Sequence, residues 1–247
     1  MGKRPLEAAF GVKIFPLVVF LLASFVHGLA GFAFALLAVP LLSLVWPLKK
    51  IVPLMALLGG TINGLLLLSL RRHFYGRRIL TLFLGAIPGV GLGATLLSRA
   101  PEEGLRFILA VVLVGYGIWG LLNPTPRIRL GDRWGYFFGF LAGALGAALN
   151  TPGPPVVVYV TLKGWSKDEV KSALQGYFFI LALLVIAAHF WEGLLNFKIL
   201  GLYFKYLPPV LLGLFLGHLF YYRLSFKVYL RTLYAILILA GLLTLPH

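Results

Sequence analysis

The residues able to do chemistry in this chain are few, and they gather in two strings, HGLAGF at 27–32 and NTPGPP at 150–155. Both strings interrupt long apolar runs. Three prolines and a glycine between 152 and 155 remove backbone donors and clash with a helical path, so a continuous helix through that point is excluded. A helix that restarts inside an apolar run directs unpaired N–H groups and a positive dipole end into the interior. That arrangement binds a small oxyanion without a buried arginine.

The residues after the two breaks, Gly31 to Ala33 and Thr151 to Gly153, are expected to carry these donors, with glycine letting the backbone approach a ligand. The candidate substrate-binding set is therefore Gly28, Gly31, Phe32 and Ala33 at the first break and Asn150, Thr151, Gly153 and Pro154 at the second. Asn150 also reads as a helix cap. Asn63 and Gln175 join the set because an amide in an apolar segment must face protein or a cavity; interhelical hydrogen bonding explains them equally well. His27 reads as a possible proton relay, whereas His189 and His218 lie near segment ends and read as interfacial.

What is missing narrows the chemistry further. There is no cysteine, so disulfides, thiolate nucleophiles and cysteine metal sites are excluded. All seven acidic residues, Glu7, Glu102, Glu103, Asp132, Asp168, Glu169 and Glu192, lie in or beside connectors, so no mid-membrane carboxylate relays protons or holds a cation. The histidines are scattered at 27, 73, 189, 218 and 247. No catalytic residue, metal site or cofactor is expected, and the chain does not read as an enzyme.

The elements that must position these residues are membrane helices. The 247 residues are 60% hydrophobic and 12% charged, and the mean hydropathy is +0.96, where a soluble domain is about a quarter charged. Eight apolar segments follow from charge, Gly and Pro boundaries: 14–46, 51–70, 79–98, 105–122, 134–162, 170–191, 199–222 and 228–245. The connectors leave no room for a soluble domain, so 1–247 is a single all-α polytopic transmembrane domain. The net charge of +15 sits mostly in those connectors, as at Arg71, Arg72, Arg77 and Arg78, and points to lipid headgroups rather than nucleic acid. Trp46, Trp119, Trp134, Trp165 and Trp191 fall at segment ends, as an aromatic belt would. The basic N-terminus lacks a small-residue cleavage signature, so it reads as part of the first segment rather than a signal peptide.

The chain also repeats itself. Gly28, Gly31 and Pro40 recur as Gly143, Gly146 and Pro155 at an offset of 115; Pro88 and Gly93 recur as Pro208 and Gly213 at 120. Arg99 and Arg106 find counterparts in Arg223 and Arg231. Two tandem four-segment repeats, about 1–126 and 127–247, are the natural reading. Residues 14–46 as one helix would run about 50 Å, far beyond a hydrocarbon core of about 30 Å, so the first segment of each repeat is broken or re-entrant. If it crosses, the repeats are parallel; if it returns, they are inverted. Lys and Arg divide about 12 to 10 between the two sides in the crossing case and about 13 to 9 in the hairpin case, which leans toward the hairpin.

The strings GLAGFAFALLAVPLL at 28–42 and GALGAALNTPGPPVVVYVTLKGWSKDEVKSAL at 143–174 resemble the paired Gly-rich, Pro-ending motifs of the sulfite exporter TauE/SafE family of membrane permeases. In the first motif Phe32, Ala33, Phe34 and Ala35 fill places where the family often has glycine. The resemblance implies transport of sulfite, thiosulfate, organosulfonates or related small anions by alternating access around the two broken helices, in the inner membrane of a prokaryote. Two Met, one Gln and four Asn hint at a thermophilic source. The partners expected are a small anionic solute and membrane lipids. A non-transporting membrane scaffold and a membrane-embedded enzyme are the alternative readings.

Overall fold

The computed structural model describes residues 14–30, 33–70, 79–122, 130–163, 167–220 and 226–245, which form ten α-helices and no strand. In chain order they are α1 (Ile14–Ala30), α2 (Phe34–Ser43), α3 (Leu48–Leu70), α4 (Leu80–Arg99), α5 (Glu102–Leu122), α6 (Trp134–Leu149), α7 (Gly153–Leu162), α8 (Lys167–Trp191), α9 (Phe197–Phe220) and α10 (Phe226–Thr244). Five stretches, Leu48–Leu68, Leu80–Arg99, Glu102–Leu122, Ser172–Trp191 and Phe197–Phe220, are long and apolar enough to cross a membrane. The first and fifth apolar segments are each split into two shorter helices, of 17 and 10 residues and of 16 and 10 residues. Large apolar side chains such as Phe107, Phe204, Phe215 and Leu239 face outward, as helices solvated by lipid require.

Helix bounds recur with a fixed spacing. Ala30 and Leu149, Phe34 and Gly153, Ser43 and Leu162, and Leu48 and Lys167 are each separated by 119 residues. The anchors Gly28, Gly31 and Pro40 recur at 115, and Pro88 and Gly93 at 120. The first offset differs from 119 by four residues, about one helical turn, an interval at which small residues recur along one helix face. At the 119-residue spacing Asn63 falls opposite Ala182 and Gln175 opposite Ala56.

Packing is set by glycine. In lipid no hydrophobic force drives helices together, and close approach of backbones replaces it. Helix α1 lies on α9 with Gly28 against Leu214 and Gly217, and Gly217 against Phe25; α4 lies on α6 with Gly89 against Phe140, Gly93 against Ala144, and Gly143 against Ala86. At Gly89, Gly93 and Gly143 a Cβ would strike the partner's backbone carbonyl, so no larger residue permits these crossings. Gly91, on the same helix as Gly89 and Gly93, has open space around it. Residue numbers rise in step across both crossings, so each pair runs parallel. Helix α3 packs on α8, and α5 on α10.

Polar contacts at the helix ends fix direction. At one end, Lys49 donates to the Ser98 carbonyl at 2.7 Å, the Leu48 N–H donates to Glu102 at 3.1 Å, and Arg106 donates to the Ser43 carbonyl at 2.6 Å. Ser98 and Thr95 donate to Glu192 there, at 2.6 and 3.1 Å. At the opposite end, the Leu130 N–H donates to the Leu162 carbonyl at 3.3 Å and Lys163 pairs with Asp132. Helix α7 thus ends where α6 begins, and α2 ends at the end of the bundle where α1 and α9 start. Both short helices turn back along the longer helix before them.

Candidate solute-binding site

The two breaks are closed by different local chemistry. At the first, the Phe34 N–H donates to His27 Nδ1 at 3.2 Å, and no side chain caps α2. With Nδ1 accepting, neutral His27 carries its proton on Nε2 and presents it as a donor. A proton placed on Nδ1 would break the bond to Phe34, which is the physical objection to the relay role read from sequence. At the second, Asn150 takes the left-handed conformation, φ 53° and ψ 32°, the only described residue other than glycine with positive φ. Asparagine tolerates that region better than other non-glycine residues, and such a residue ends a helix by folding its N–H groups back. The Asn150 N–H donates to the Gly146 carbonyl at 2.9 Å and that of Thr151 to the Leu145 carbonyl at 3.2 Å. Pro152, Pro154 and Pro155 have no N–H. The expected row of free donors from Thr151 to Gly153 is therefore reduced to that of Gly153, and the Asn150 side chain does not cap α7.

Both breaks open on one cavity. It is lined by His27, by Phe34 and Leu36 at the start of α2, by Asn63 in the middle of α3, and by Asn150 to Gly153. Phe178, Leu181 and Val185 of α8 complete the wall. The cavity's inner volume is about 50 Å³, room for several waters at about 10–15 Å³ each. Among the described residues, His27 Nε2, Asn63 Oδ1 and Thr151 Oγ1 are buried without a hydrogen-bond partner. A buried orphan polar atom costs about 1–3 kcal/mol, and three of them line this cavity.

Of the sequence-predicted residues, His27, Asn63, Asn150, Thr151 and Gly153 line this cavity. Gly28 does not. A Cβ there would lie 2.6 Å from the Leu214 carbonyl oxygen, so that glycine serves the α1–α9 crossing. Ala33, Pro154 and Gln175 are not in the wall, and Gln175 is buried with a partner of its own. Gly31 and Phe32 lie outside the described residues. Sequence reasoning missed the wall from Phe34 on α2, from Gly59 and Gly60 on α3, and from α8. The glycine pair one turn before Asn63 was the signal available for α3; nothing distinguishes Leu181 or Val185 from other apolar residues.

His189 also departs from its expected interfacial place. It is fully buried, and its Nε2–H donates to the Ala147 carbonyl at 2.8 Å, tying α8 to the last turn of α6 beside the second break. His218 is exposed on α9. Just beyond α8, hydrogen bonds from Ser98 and Thr95 hold the Glu192 carboxyl below its ordinary pKa. This contact joins the end of α8 to α4.

A bundle of apolar helices, five of them long enough to cross a bilayer, defines the class as a polytopic membrane protein. The chain belongs to the sulfite exporter TauE/SafE family, whose match covers residues 16–245, nearly the whole chain. It is thus an integral membrane permease and not an enzyme, in a family that exports a small anion. No curated protein and no solved structure matches the chain.

Proposed function

We propose that this chain is a permease for small sulfur-containing anions, sulfite or organosulfonate among them, working by alternating access around the cavity between the breaks. The observation that supports it most directly is the meeting of both breaks on one cavity with three unpartnered polar atoms. His27 Nε2–H, the Thr151 hydroxyl and the Gly153 N–H supply donors; Asn63 and Asn150 supply amides. The common 119-residue spacing of helix bounds and the swapped pairing, α1 with α9 and α6 with α4, support two inverted units of about 1–126 and 127–247. Rocking of one returning pair against the other would open the cavity to either side in turn.

In the hairpin reading, 13 of the 22 Lys and Arg fall on the side where α6 begins and α7 ends, which makes that side cytoplasmic. A prokaryotic inner membrane, and a thermophilic source suggested by the scarcity of Met and amides, complete the reading. With an interior-negative potential of about 100 mV, each negative charge gains about 2.3 kcal/mol on leaving the cell, so export needs no coupling ion.

Proteoliposomes loaded with sulfite should release it. The double variant Asn150→Gly with Gly153→Leu keeps the left-handed backbone at 150, removes its amide and fills the cavity; the first added carbon at 153 has room, 3.7 Å from Leu36. That variant should fold, as judged by its melting temperature, and lose flux. A folded double variant with unchanged flux would remove this site from the mechanism.

A further inference from the structure

The cavity has a mostly apolar wall that carries a few polar groups and no fixed charge. Among its described lining residues there is no Lys, Arg, Asp or Glu. What positive potential it has comes from the starts of α2 and α7, two helix N-termini worth about half an elementary charge each, or about one together. The ends of α1 and α6 bring the opposite sign to the same place. At α6 that opposing end is partly neutralised, because the Gly146 carbonyl accepts from Asn150 and the Ala147 carbonyl from His189. The site therefore offers at most about one positive charge to its guest.

Charge number decides what such a site can hold. The desolvation cost of an ion grows as the square of its charge, whereas its attraction to a fixed potential grows only linearly. Going from a monoanion to a dianion of equal size multiplies the cost by about four and the attraction by about two. No buried cation is present in this wall to close that gap. A second feature concerns the guest's hydrogen: alongside the donor of His27, the wall holds a buried acceptor, Asn63 Oδ1, with no partner among the described residues. An oxyanion with no proton leaves that acceptor unpaired, and one bearing an O–H satisfies it.

We propose that the cavity binds its solute as a monoanion, and that Asn63 favours a protonated oxyanion, hydrogensulfite over sulfite, by accepting its hydrogen bond. The proposal rests on the transport-site reading above and narrows it: singly charged sulfonates and hydrogensulfite are guests, and sulfate and thiosulfate are not. It also fixes the electrical behaviour of the permease. One elementary charge crosses with each sulfur, and the side that receives hydrogensulfite is acidified as it ionises.

Four anions of similar size test this on purified full-length protein: hydrogensulfite in mildly acid buffer, methanesulfonate, sulfate and thiosulfate, each titrated by calorimetry and by thermal shift. Hydrogensulfite and methanesulfonate should bind and raise the melting temperature; the two dianions at the same concentrations should leave it unchanged. Sulfate or thiosulfate binding as tightly as methanesulfonate overturns the monoanion rule while leaving the transport site intact. Binding of none of the four instead overturns the site itself. Asn63→Leu should shift the affinity ratio of hydrogensulfite to methanesulfonate about tenfold against hydrogensulfite, one hydrogen bond's worth. An unchanged ratio removes the role of Asn63. Should that variant not fold, the ratio of charge to sulfur moved by wild-type proteoliposomes decides the matter: one supports the proposal, and two overturns it.

Discussion

At the first break the Phe34 N–H is held by a histidine ring, and that ring turns its other nitrogen to the cavity; at the second, most backbone donors are folded back onto α6 or deleted by proline, and a threonine hydroxyl and the Gly153 N–H remain. Helix lengths and spacing are alike at the two places, so geometry alone does not dictate the furnishing. Two returning helices can deliver their ends to one cavity with matching backbones while the chemistry they offer differs. The difference gives the cavity an imidazole N–H at the first break and a hydroxyl beside a glycine N–H at the second.

Glycine separates the two breaks most strongly. Gly28 lies against the backbone of α9, 2.6 Å from the Leu214 oxygen and 3.0 Å from Gly217 for an added Cβ, whereas an added Cβ at Gly153 meets only the tip of Leu36 at 3.7 Å. Gly28→Val should therefore destabilise the protein by about 3 kcal/mol or more through forced separation of α1 and α9. Gly153→Ala should change stability by about 0.5 kcal/mol or less. Melting curves in detergent measure both, and similar losses for the two would erase the contrast.

Affinity should follow the furnishing. His27→Phe keeps a ring in place but strands the Phe34 N–H and removes a donor from the guest, so hydrogensulfite should bind about 10- to 100-fold more weakly. Thr151→Val removes a single hydroxyl and should cost about fivefold. Calorimetric titration ranks them; a larger loss at Thr151 would reverse the order.

The smallest effect concerns the tie that holds α8, and with it one cavity wall, to α4. Hydroxyl donors stabilise ionised Glu192, so its folded pKa lies below its unfolded value. The stabilisation is complete above the ordinary glutamate pKa of about 4.3 and is lost as pH falls through the lower folded value. The melting temperature should drop slightly over that acid window in the wild type. Glu192→Gln should show a flatter acid limb, and identical acid limbs would discard the tie.

Much of this was legible from composition and from two strings of residues. The prolines of NTPGPP dictate a break wherever the chain folds, because a missing N–H and a ring clash are properties of the residue itself. The first break was visible only as glycine-rich HGLAGF in a run too long for a bilayer. The glycine and proline anchors suggested a repeat at offsets of 115 and 120, and helix bounds recur at 119. His189 was misplaced because a histidine near a segment end looks interfacial until a facing carbonyl, here that of Ala147, is known to need it.

The sequence by itself determined the apolar surroundings, the all-helical class, the two interruptions and the absence of acidic groups between them. These follow from local terms: transfer of side chains into hydrocarbon and the backbone limits of proline and glycine. Only the tertiary structure decided that both short helices return, that the breaks share one cavity, and that Gly28 packs while Gly153 opens. Those outcomes depend on which glycine faces meet across α1–α9 and α4–α6, a matter of contact between residues far apart in the chain, which no local preference encodes.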